Sequence, residues 1–229
     1  MKTRILITTF LTLLMISANA QKTAERTIAS FDKIDVFGNI QVFLTKGEVG
    51  TVKIDSKDVD PSEVVTEVKD KLLKIKMKSN LFDDATVRVY LNFDELREIS
   101  SNAAAEIMVK DKIKGDKIMV TATSGGRVKL DATLNAVELK SYQGGHIDIT
   151  GKSKLQESFV NTGGILSAAK FECDEVFIKM NTGGNADVLV NKKIDARVNT
   201  GANLSIYGKQ GIDENLSTSL GGKIVKWYD

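Results

Sequence analysis

The sequence predicts an all-β protein, a single-stranded right-handed β-helix (β-solenoid) with coils of about 19–20 residues and an N-terminal β-rich cap. Three observations predict this fold. A pair of small residues recurs at a nearly constant period, apolar and polar residues alternate on both sides of each pair, and the composition has 18 Gly against one Pro. No G-X-Y period accompanies the glycines, so they indicate many tight corners and exclude a collagen-like chain.

The small-residue pairs are predicted to form the corners of the coils. The second members of successive pairs are 18 to 21 residues apart. A sharp bend between two strands often needs a residue at positive φ, which Gly adopts at little cost. The seven pairs are Ala104-Ala105, Gly125-Gly126, Gly144-Gly145, Gly163-Gly164, Gly183-Gly184, Gly201-Ala202 and Gly221-Gly222.

The residues on both sides of each pair alternate as expected for strands with one buried face. Four residues after the last pair, Lys226 breaks this pattern, and the apolar column before the pairs weakens at Glu214. Because one strand pair cannot bury its apolar face alone, equivalent strands should stack in parallel about 4.8 Å apart. The residues predicted to form one interior ladder are Ile107, Val128, Ile147, Leu166, Ala186, Leu204 and Ile224.

Two further features of the coils follow from the same pattern. Short connections, such as residues 151–154 or 191–193, are expected to complete the turns. Asn161, Asn181 and Asn199 are each followed by Thr at three successive corners, which predicts stacked Asn and Thr ladders. An N-T-G-G ligand motif is the alternative, but each of its residues already has a conformational role at a corner.

The segment before residue 100 lacks the Gly-Gly period but retains strand patterns. Gly38-Asn39 and Lys46-Gly47 are turn signals, and a short helix and a strand both remain open for residues 59–69. The end of a solenoid is an exposed strand edge, so this segment is predicted to be a cap that continues into the first coils. The predicted strands are residues 31–36, 40–45, 51–55, 72–78 and 86–91.

The first twenty residues are predicted to be a signal peptide. Lys2 and Arg4 precede an apolar run of about twelve residues, too short to span a bilayer comfortably, and Ala18-Asn19-Ala20 is an A-x-A cleavage signal. An N-terminal membrane anchor is the alternative. Cleavage would leave residues 21–229 as a single solenoid domain, with the cap and first coils at 21–100 and the regular coils at 101–229.

Removal of this segment would make the mature chain electrically neutral. Lys2 and Arg4 are two of the 32 basic residues, so 30 basic residues would remain against 30 acidic residues. Binding to nucleic acid needs concentrated Lys and Arg, and this balance argues against it. The mature chain is also predicted to have no transmembrane segment.

Several N-terminal motifs resemble those of a known family. The run from Phe31 to Val36, followed by Gly38-Asn39-Ile40-Gln41-Val42 and Lys46-Gly47, is similar to the opening of head GIN domain proteins. The stretch from Leu91 to Ile99, followed by Gly-rich coils, is similar as well. The resemblance covers about residues 28–228 and implies a secreted or envelope β-solenoid with adhesin-like character. It implies no established activity, cofactor or catalytic residue.

The residue types that carry most enzyme chemistry are scarce. One Cys, Cys173, excludes an intrachain disulfide and a multi-thiolate zinc site, and burial as a small apolar residue is expected for it. One His, His146, cannot build a multi-His metal centre, and we expect a solvent-exposed imidazole. No catalytic, cofactor-binding or metal-binding residue is predicted, and the ligand-binding residues are unknown.

An enzyme remains as an alternative because β-helices do carry polysaccharide lyases and hydrolases. The outward residues Asp148 and Asp187 would lie two coils apart, about 9.6 Å by the stacking rule. That separation is near the upper end for the carboxylate pair of an inverting glycosidase. No third group supports these two acids, so the sequence favours a protein without enzymatic activity.

Lys71, Lys74, Lys76 and Lys78 give one strand a charged face. Docking to an anionic glycan or lipid headgroup is one interpretation. Protection of a sheet edge against aggregation is the simpler one.

The sequence as a whole therefore predicts an exported, non-enzymatic β-solenoid that acts as a cell-envelope or secreted binding module of adhesin type. A carbohydrate-active enzyme and a structural component of the envelope are the alternatives. A glycan or an envelope protein is the expected partner, and the location is periplasmic, outer-surface or extracellular. No cofactor is expected, and the oligomeric state is not indicated.

Overall fold

The computed structural model describes residues 22–57, 59–78 and 86–229. Within these ranges the regular elements are strands, apart from one 3₁₀ helix at Pro61–Glu63, and the seventeen strands join one sheet. The sheet winds into stacked turns, so the predicted β-solenoid is confirmed. The predicted signal peptide at residues 1–20 lies outside the described residues.

Seventeen strands follow one another along the described ranges. They are β1 (Lys22–Thr27), β2 (Lys33–Phe37), β3 (Ile40–Lys46), β4 (Thr51–Ser56), β5 (Val64–Lys69), β6 (Leu72–Met77), β7 (Val87–Phe93), β8 (Glu98–Asn102), β9 (Glu106–Val109), β10 (Ile113–Thr123), β11 (Arg127–Tyr142), β12 (His146–Asn161), β13 (Ile165–Met180), β14 (Asn185–Asn199), β15 (Asn203–Gly208), β16 (Asp213–Ser219) and β17 (Lys223–Tyr228).

Successive coils stack in parallel and in the predicted register. Val128 pairs with Ile147, Ile147 with Leu166, and the column continues through Ala186 to Leu204. All five side chains are buried. Burying a large aliphatic side chain contributes about 1.5–3 kcal/mol before the entropy of ordering is subtracted, so these interior ladders are the main stabilising feature of the coils.

Each small-residue pair forms a tight turn, and its two members serve different purposes. Thr162 and Gly163 have φ of 50° and 71°, and the Gly164 N–H donates to the Asn161 carbonyl at 3.0 Å, as in a type I′ turn. Gly163 therefore supplies the predicted positive φ. Gly164 is needed for space, since a Cβ there would lie 2.2 Å from the carbonyl oxygen of Ser141 in the preceding coil.

The predicted Asn ladder is present over part of its length. Asn199 Nδ2 donates to Asn181 Oδ1 at 3.2 Å, and Ser219 Oγ donates to Asn199 Oδ1 at 2.7 Å. Asn161 does not join, because its Oδ1 accepts from the Thr162 N–H at 2.8 Å instead. The side chain that begins the series thus supports its own turn.

The prediction of separate connecting stretches is wrong. Residues 151–154 lie within β12 and residues 191–193 within β14, and the pairing of β12 with the preceding coil continues through residues 151–153. The alternation of buried and accessible residues is interrupted at both bends, where residues 150–152 and 191–193 are all accessible. The chain therefore turns by placing three consecutive residues on the outside, and in β12 the pairing between coils persists through the turn.

The five strands predicted in the N-terminal segment are present as β2, β3, β4, β6 and β7, each with slightly different bounds. The open stretch 59–69 contains the 3₁₀ helix followed by β5, so both alternatives occur in succession. Strands β1 and β8 were not predicted. The β1 segment KTAERT has few apolar residues, and its side chains are exposed or half-buried.

The spatial order of the first layers differs from their order in the chain. β2 pairs in parallel with both β6 and β8, and β3 pairs in parallel with both β7 and β9. The first layer formed by the chain is therefore enclosed between two later ones. Beyond it, β5 pairs antiparallel with β6, β4 with β7, and β1 with β4, and these strands cover the N-terminal end.

Glu214 and Lys226, the two residues that interrupt the hydrophobic pattern, lie together at the C-terminal end of the solenoid. Glu214 continues the interior column of Ile194, and Lys226 continues that of Ile206. Their side chains form an ion pair, and Tyr228 Oη donates to Glu214 Oε1 at 2.7 Å. The hydrogen bond from Lys226 lowers the pKa of Glu214 below its ordinary value, and burial raises that of Tyr228. A polar cluster thus closes the apolar interior in the last described layer.

Candidate functional site

The outward side chains form columns along the solenoid because successive coils are in register. We call the outward residues just after the corners the following wall, and those just before the corners the preceding wall. One column of the following wall consists of Lys129, Asp148, Ser167, Asp187 and Ser205. This is a predicted column, and it contains the two acids of the enzyme alternative.

The surroundings of these acids do not assemble a catalytic set. Lys129 Nζ lies 3.5 Å from Asp148 Oδ2, and Ser167 separates the two acids in the column. Asp187 has no ion pair or side-chain hydrogen bond to any described residue. Ser167 Oγ lies within reach of one possible base, His146 Nε2 at 3.2 Å, but no acid among the described residues contacts the imidazole, so the group that would orient the base in a catalytic set is missing.

His146 lies in the neighbouring column and is half-buried, so the expectation of a freely exposed imidazole is wrong. Its Nε2 is 3.2 Å from Ser167 Oγ in the next coil. Together with Asp148 it borders a small hollow of about 120 Å³. Across the described ranges, no three side chains of His, Cys, Asp or Glu type are placed to hold a metal ion together.

Cys173 is buried in the interior, as predicted. Its Sγ lies 3.4 Å from Gln156 Oε1, and Gln156 Nε2 donates to Ser158 Oγ at 2.9 Å. Burial raises the pKa of the Cys173 thiol to about 12, which keeps it protonated and unreactive. These buried polar side chains hydrogen-bond to one another, and none of them presents a reactive atom to solvent.

The preceding wall carries a charge cluster in which one acid lies between two lysines. Glu138 Oε1 lies 2.6 Å from Lys140 Nζ, and Glu138 Oε2 lies 3.5 Å from Lys117 Nζ. The hydrogen bond from Lys140 lowers the pKa of Glu138, and the same bond raises that of Lys140. The carboxylate thus offsets one of the two ammonium charges, and both of its oxygens are occupied.

The next coils of the preceding wall differ, because aromatic residues appear among the charges. Phe159 and Phe177 both point outward on adjacent strands, and 37% of Phe177 is exposed. They border a shallow hollow of about 230 Å³. The sequence reasoning assigned no role to them, although their outward position in the alternating pattern was a usable signal.

The lysine-rich strand proves to be internal to the sheet. β6 carries Lys74 and Lys76 on its exposed face and pairs with β5 on one side and β2 on the other. Glu67 and Asp35 lie opposite Lys74 on these neighbours. The interpretation of these lysines as protection for a sheet edge is therefore wrong, because β6 is not an edge.

No helix in the described ranges is long and apolar enough to cross a membrane. Among curated proteins, no match to this chain was found. Solved structures with a similar fold come from Bacteroides and Parabacteroides species, and those described below share under a fifth of their sequence with this chain, so they establish the fold alone.

Three of these structures illustrate the likeness. A putative adhesin from Bacteroides fragilis has a TM-score of 0.79 and 16% identity, with 90% of this chain and 96% of that chain covered. A putative adhesin from Parabacteroides distasonis has a TM-score of 0.68 and 19% identity over 91% and 97%. A putative lipid binding protein from the same species has a TM-score of 0.66 and 17% identity over 90% and 96%.

The family itself is established by a match over most of the chain. The model described as "Putative auto-transporter adhesin, head GIN domain" matches residues 30–209, which include the N-terminal motifs and all but the last layer of the solenoid. This chain belongs to the head GIN domain family.

Proposed function

We propose that the protein is an exported binding module of adhesin type, without enzymatic activity, whose ligand is a glycan or an envelope protein. The observation that carries the proposal is the regular outer surface of the solenoid. Its in-register columns present outward side chains at a regular spacing, of different chemistry at each coil, as in Lys129, Asp148 and Ser167, over several parallel layers. Extended solenoids commonly act by presenting such surfaces to a partner.

The family and the similar structures support this proposal. The matching family is described as adhesin-like, and two of the similar structures are described as putative adhesins. Residues 1–20 supply the expected export signal, which would place the mature chain in the periplasm, on the outer surface or outside the cell. Residues 21–229 would then act as a single domain without a transmembrane segment.

A glycan array and an envelope pull-down, both with the mature chain, test the proposal. Reproducible glycan binding is the expected result. Capture of one stoichiometric envelope protein without any glycan binding would favour the structural alternative. Absence of binding in both experiments, with the chain folded by circular dichroism, would overturn the proposal.

The enzyme alternative has its own test at the following wall. We expect no turnover of polysaccharides by the wild-type chain, because Lys129 pairs with Asp148 and Asp187 lacks a supporting group. Turnover that disappears in Asp148→Asn or Asp187→Asn would establish an enzyme and overturn the non-enzymatic part of the proposal.

A further inference from the structure

The aromatic hollow of the preceding wall is built from two columns on three successive coils. Glu157 and Phe159 come from β12, Phe177 and Lys179 from β13, and the third coil supplies one acid and one base from β14. The register pairs Glu157 with Phe177 and Phe177 with Asp195, and it pairs Phe159 with Lys179 and Lys179 with Arg197. We call this set the Phe159–Phe177 hollow; its members are Glu157, Phe159, Phe177, Lys179, Asp195 and Arg197.

Phe177 is the more accessible of the two phenyl rings, and Phe159 is half-buried. They lie on adjacent coils in neighbouring columns, and they are not among the stacked ring pairs of the described residues, which are Phe43–Tyr90 and Tyr207–Trp227. Lys179 Nζ lies 5.8 Å from the centre of the Phe159 ring, and Phe177 has no such cover. Exposed aromatic surface within a charged wall is typical of a recognition site.

The charged members of the hollow also retain hydrogen-bonding capacity. Glu157 and Arg197 make no ion pair or side-chain hydrogen bond with any described residue, and Asp195 accepts one bond, from Asn215 Nδ2 at 2.8 Å. Glu138, one coil before Glu157 in the same column, is instead held between two lysines. The hollow therefore offers carboxylate acceptors and a guanidinium donor that the fold itself does not use.

We propose that the Phe159–Phe177 hollow binds one ring of a neutral glycan, an inference that rests on the proposed binding function. A sugar ring has an apolar C–H face, which fits the phenyl rings, and a rim of hydroxyls, which fits Glu157, Asp195 and Arg197 through charge-assisted hydrogen bonds. The two acids and two bases cancel formally, so the hollow gives no net attraction to a polyanion.

The size of the hollow is consistent with such a ligand. Its volume of about 230 Å³ is below the roughly 300–1,000 Å³ of pockets for drug-sized molecules. It suits one ring of a longer chain whose other residues extend over the wall. Ser217 continues the same outward column on one side and is available for such contacts, whereas Lys140 on the other side is held by Glu138.

The experiment uses the mature chain, residues 21–229, on an array of neutral oligosaccharides from glucan, mannan and chitin, beside sialylated and sulfated glycans. Neutral hits are then measured by isothermal calorimetry with Phe177→Ala, Glu157→Gln and the control Phe37→Ala. Phe37 is also an outward Phe, is 52% exposed and lies outside the hollow. We expect each hollow variant to lose at least about tenfold in affinity, and Phe37→Ala less than about twofold.

A conservative variant separates recognition from structure. Phe177→Tyr keeps the ring and is expected to retain binding, while circular dichroism checks that all variants are folded. Neutral glycan binding that survives both hollow substitutions would overturn this site and leave the proposed function intact. Binding only to anionic glycans, to phospholipid vesicles or to an envelope protein would overturn the neutral-glycan assignment. Absence of every ligand would overturn the proposed function as well.

Discussion

The two ends of the solenoid solve the same problem in different ways. At the N-terminal end, the antiparallel strands β4 and β5 cover the outermost layer. Ile54 of β4 and Val64 of β5 are completely buried. Arg26 of β1 ties the cover together, because its guanidinium donates to the carbonyls of Pro61 and Val64. At the C-terminal end, the described chain contains no covering strand, and the interior itself becomes polar through Glu214 and Lys226.

The comparison shows that a solenoid end needs protection but not always a cap. An unpaired strand edge over an apolar interior promotes association, and inward-pointing charges are one known way to prevent it. Glu214 and Lys226 remain accessible enough for partial hydration, with 22% and 42% of their side chains exposed. The N-terminal cover should therefore contribute much more to stability than the C-terminal cluster.

The largest expected effect concerns equivalent isoleucines at the two ends. Ile54→Ala should lower the free energy of unfolding by about 3 kcal/mol, because it leaves a cavity at a fully buried position. Ile224→Ala, at a partly buried position of the last layer, should cost about 1 kcal/mol. Urea unfolding followed by circular dichroism measures both. Equal losses at the two ends would contradict the comparison.

The next effect concerns the polar cluster itself. Lys226→Ala removes the ion-pair partner of Glu214 and should cost about 1 kcal/mol, a modest value because solvent screens the partly exposed ammonium group. Lys223→Ala, on the same strand but facing outward, is the matched control and should change stability by less than about 0.5 kcal/mol. If both variants lost the same amount, the cluster would have no special role.

A smaller effect should appear in the pH dependence of stability. Interaction with Lys226 holds the pKa of Glu214 below its ordinary value of 4.5, so its stabilising contribution is complete above that pH. The contribution is lost as the pH falls through the pKa of the folded state, where Glu214 becomes protonated. The stability difference between wild type and Glu214→Gln should therefore stay constant above pH 4.5 and shrink as the pH falls below it. A difference that stays constant below pH 4.5 as well would exclude the linkage.

The smallest expected change in stability combines both positions. Replacing the pair in Glu214→Leu/Lys226→Leu should alter the free energy of unfolding by less than about 1 kcal/mol, since apolar side chains can substitute for an ion pair of similar volume. The same variant should associate through its newly apolar end, which sedimentation velocity would detect as dimers or larger species. A strictly monomeric double variant would show that the charges do not protect this end.

Much of the fold was predictable because its repeats are local. The corner at Gly163 and the ladder from Val128 to Leu204 depend on period and alternation, which are properties of short segments. The bend within β12 was not predictable as strand, because the pairing that continues through it comes from the coils above and below. For the candidate site, alternation placed Phe159 outward, but only stacking brought it beside Phe177 and Arg197.

By itself, the amino-acid sequence determined the coil length, the corners and the side chains that face the interior. These features depend on the apolar–polar alternation and on small residues at tight turns, which are both local properties of the sequence. Only the tertiary structure decided that β2 and β3 lie between later layers, and that Glu214 and Lys226 meet. Both depend on contacts between residues far apart in the chain. Because each coil pairs with its neighbours in the same parallel way, stacking alone is compatible with several orders of the layers. The packing of the N-terminal cover, formed by β1, β4 and β5, selects one of these orders.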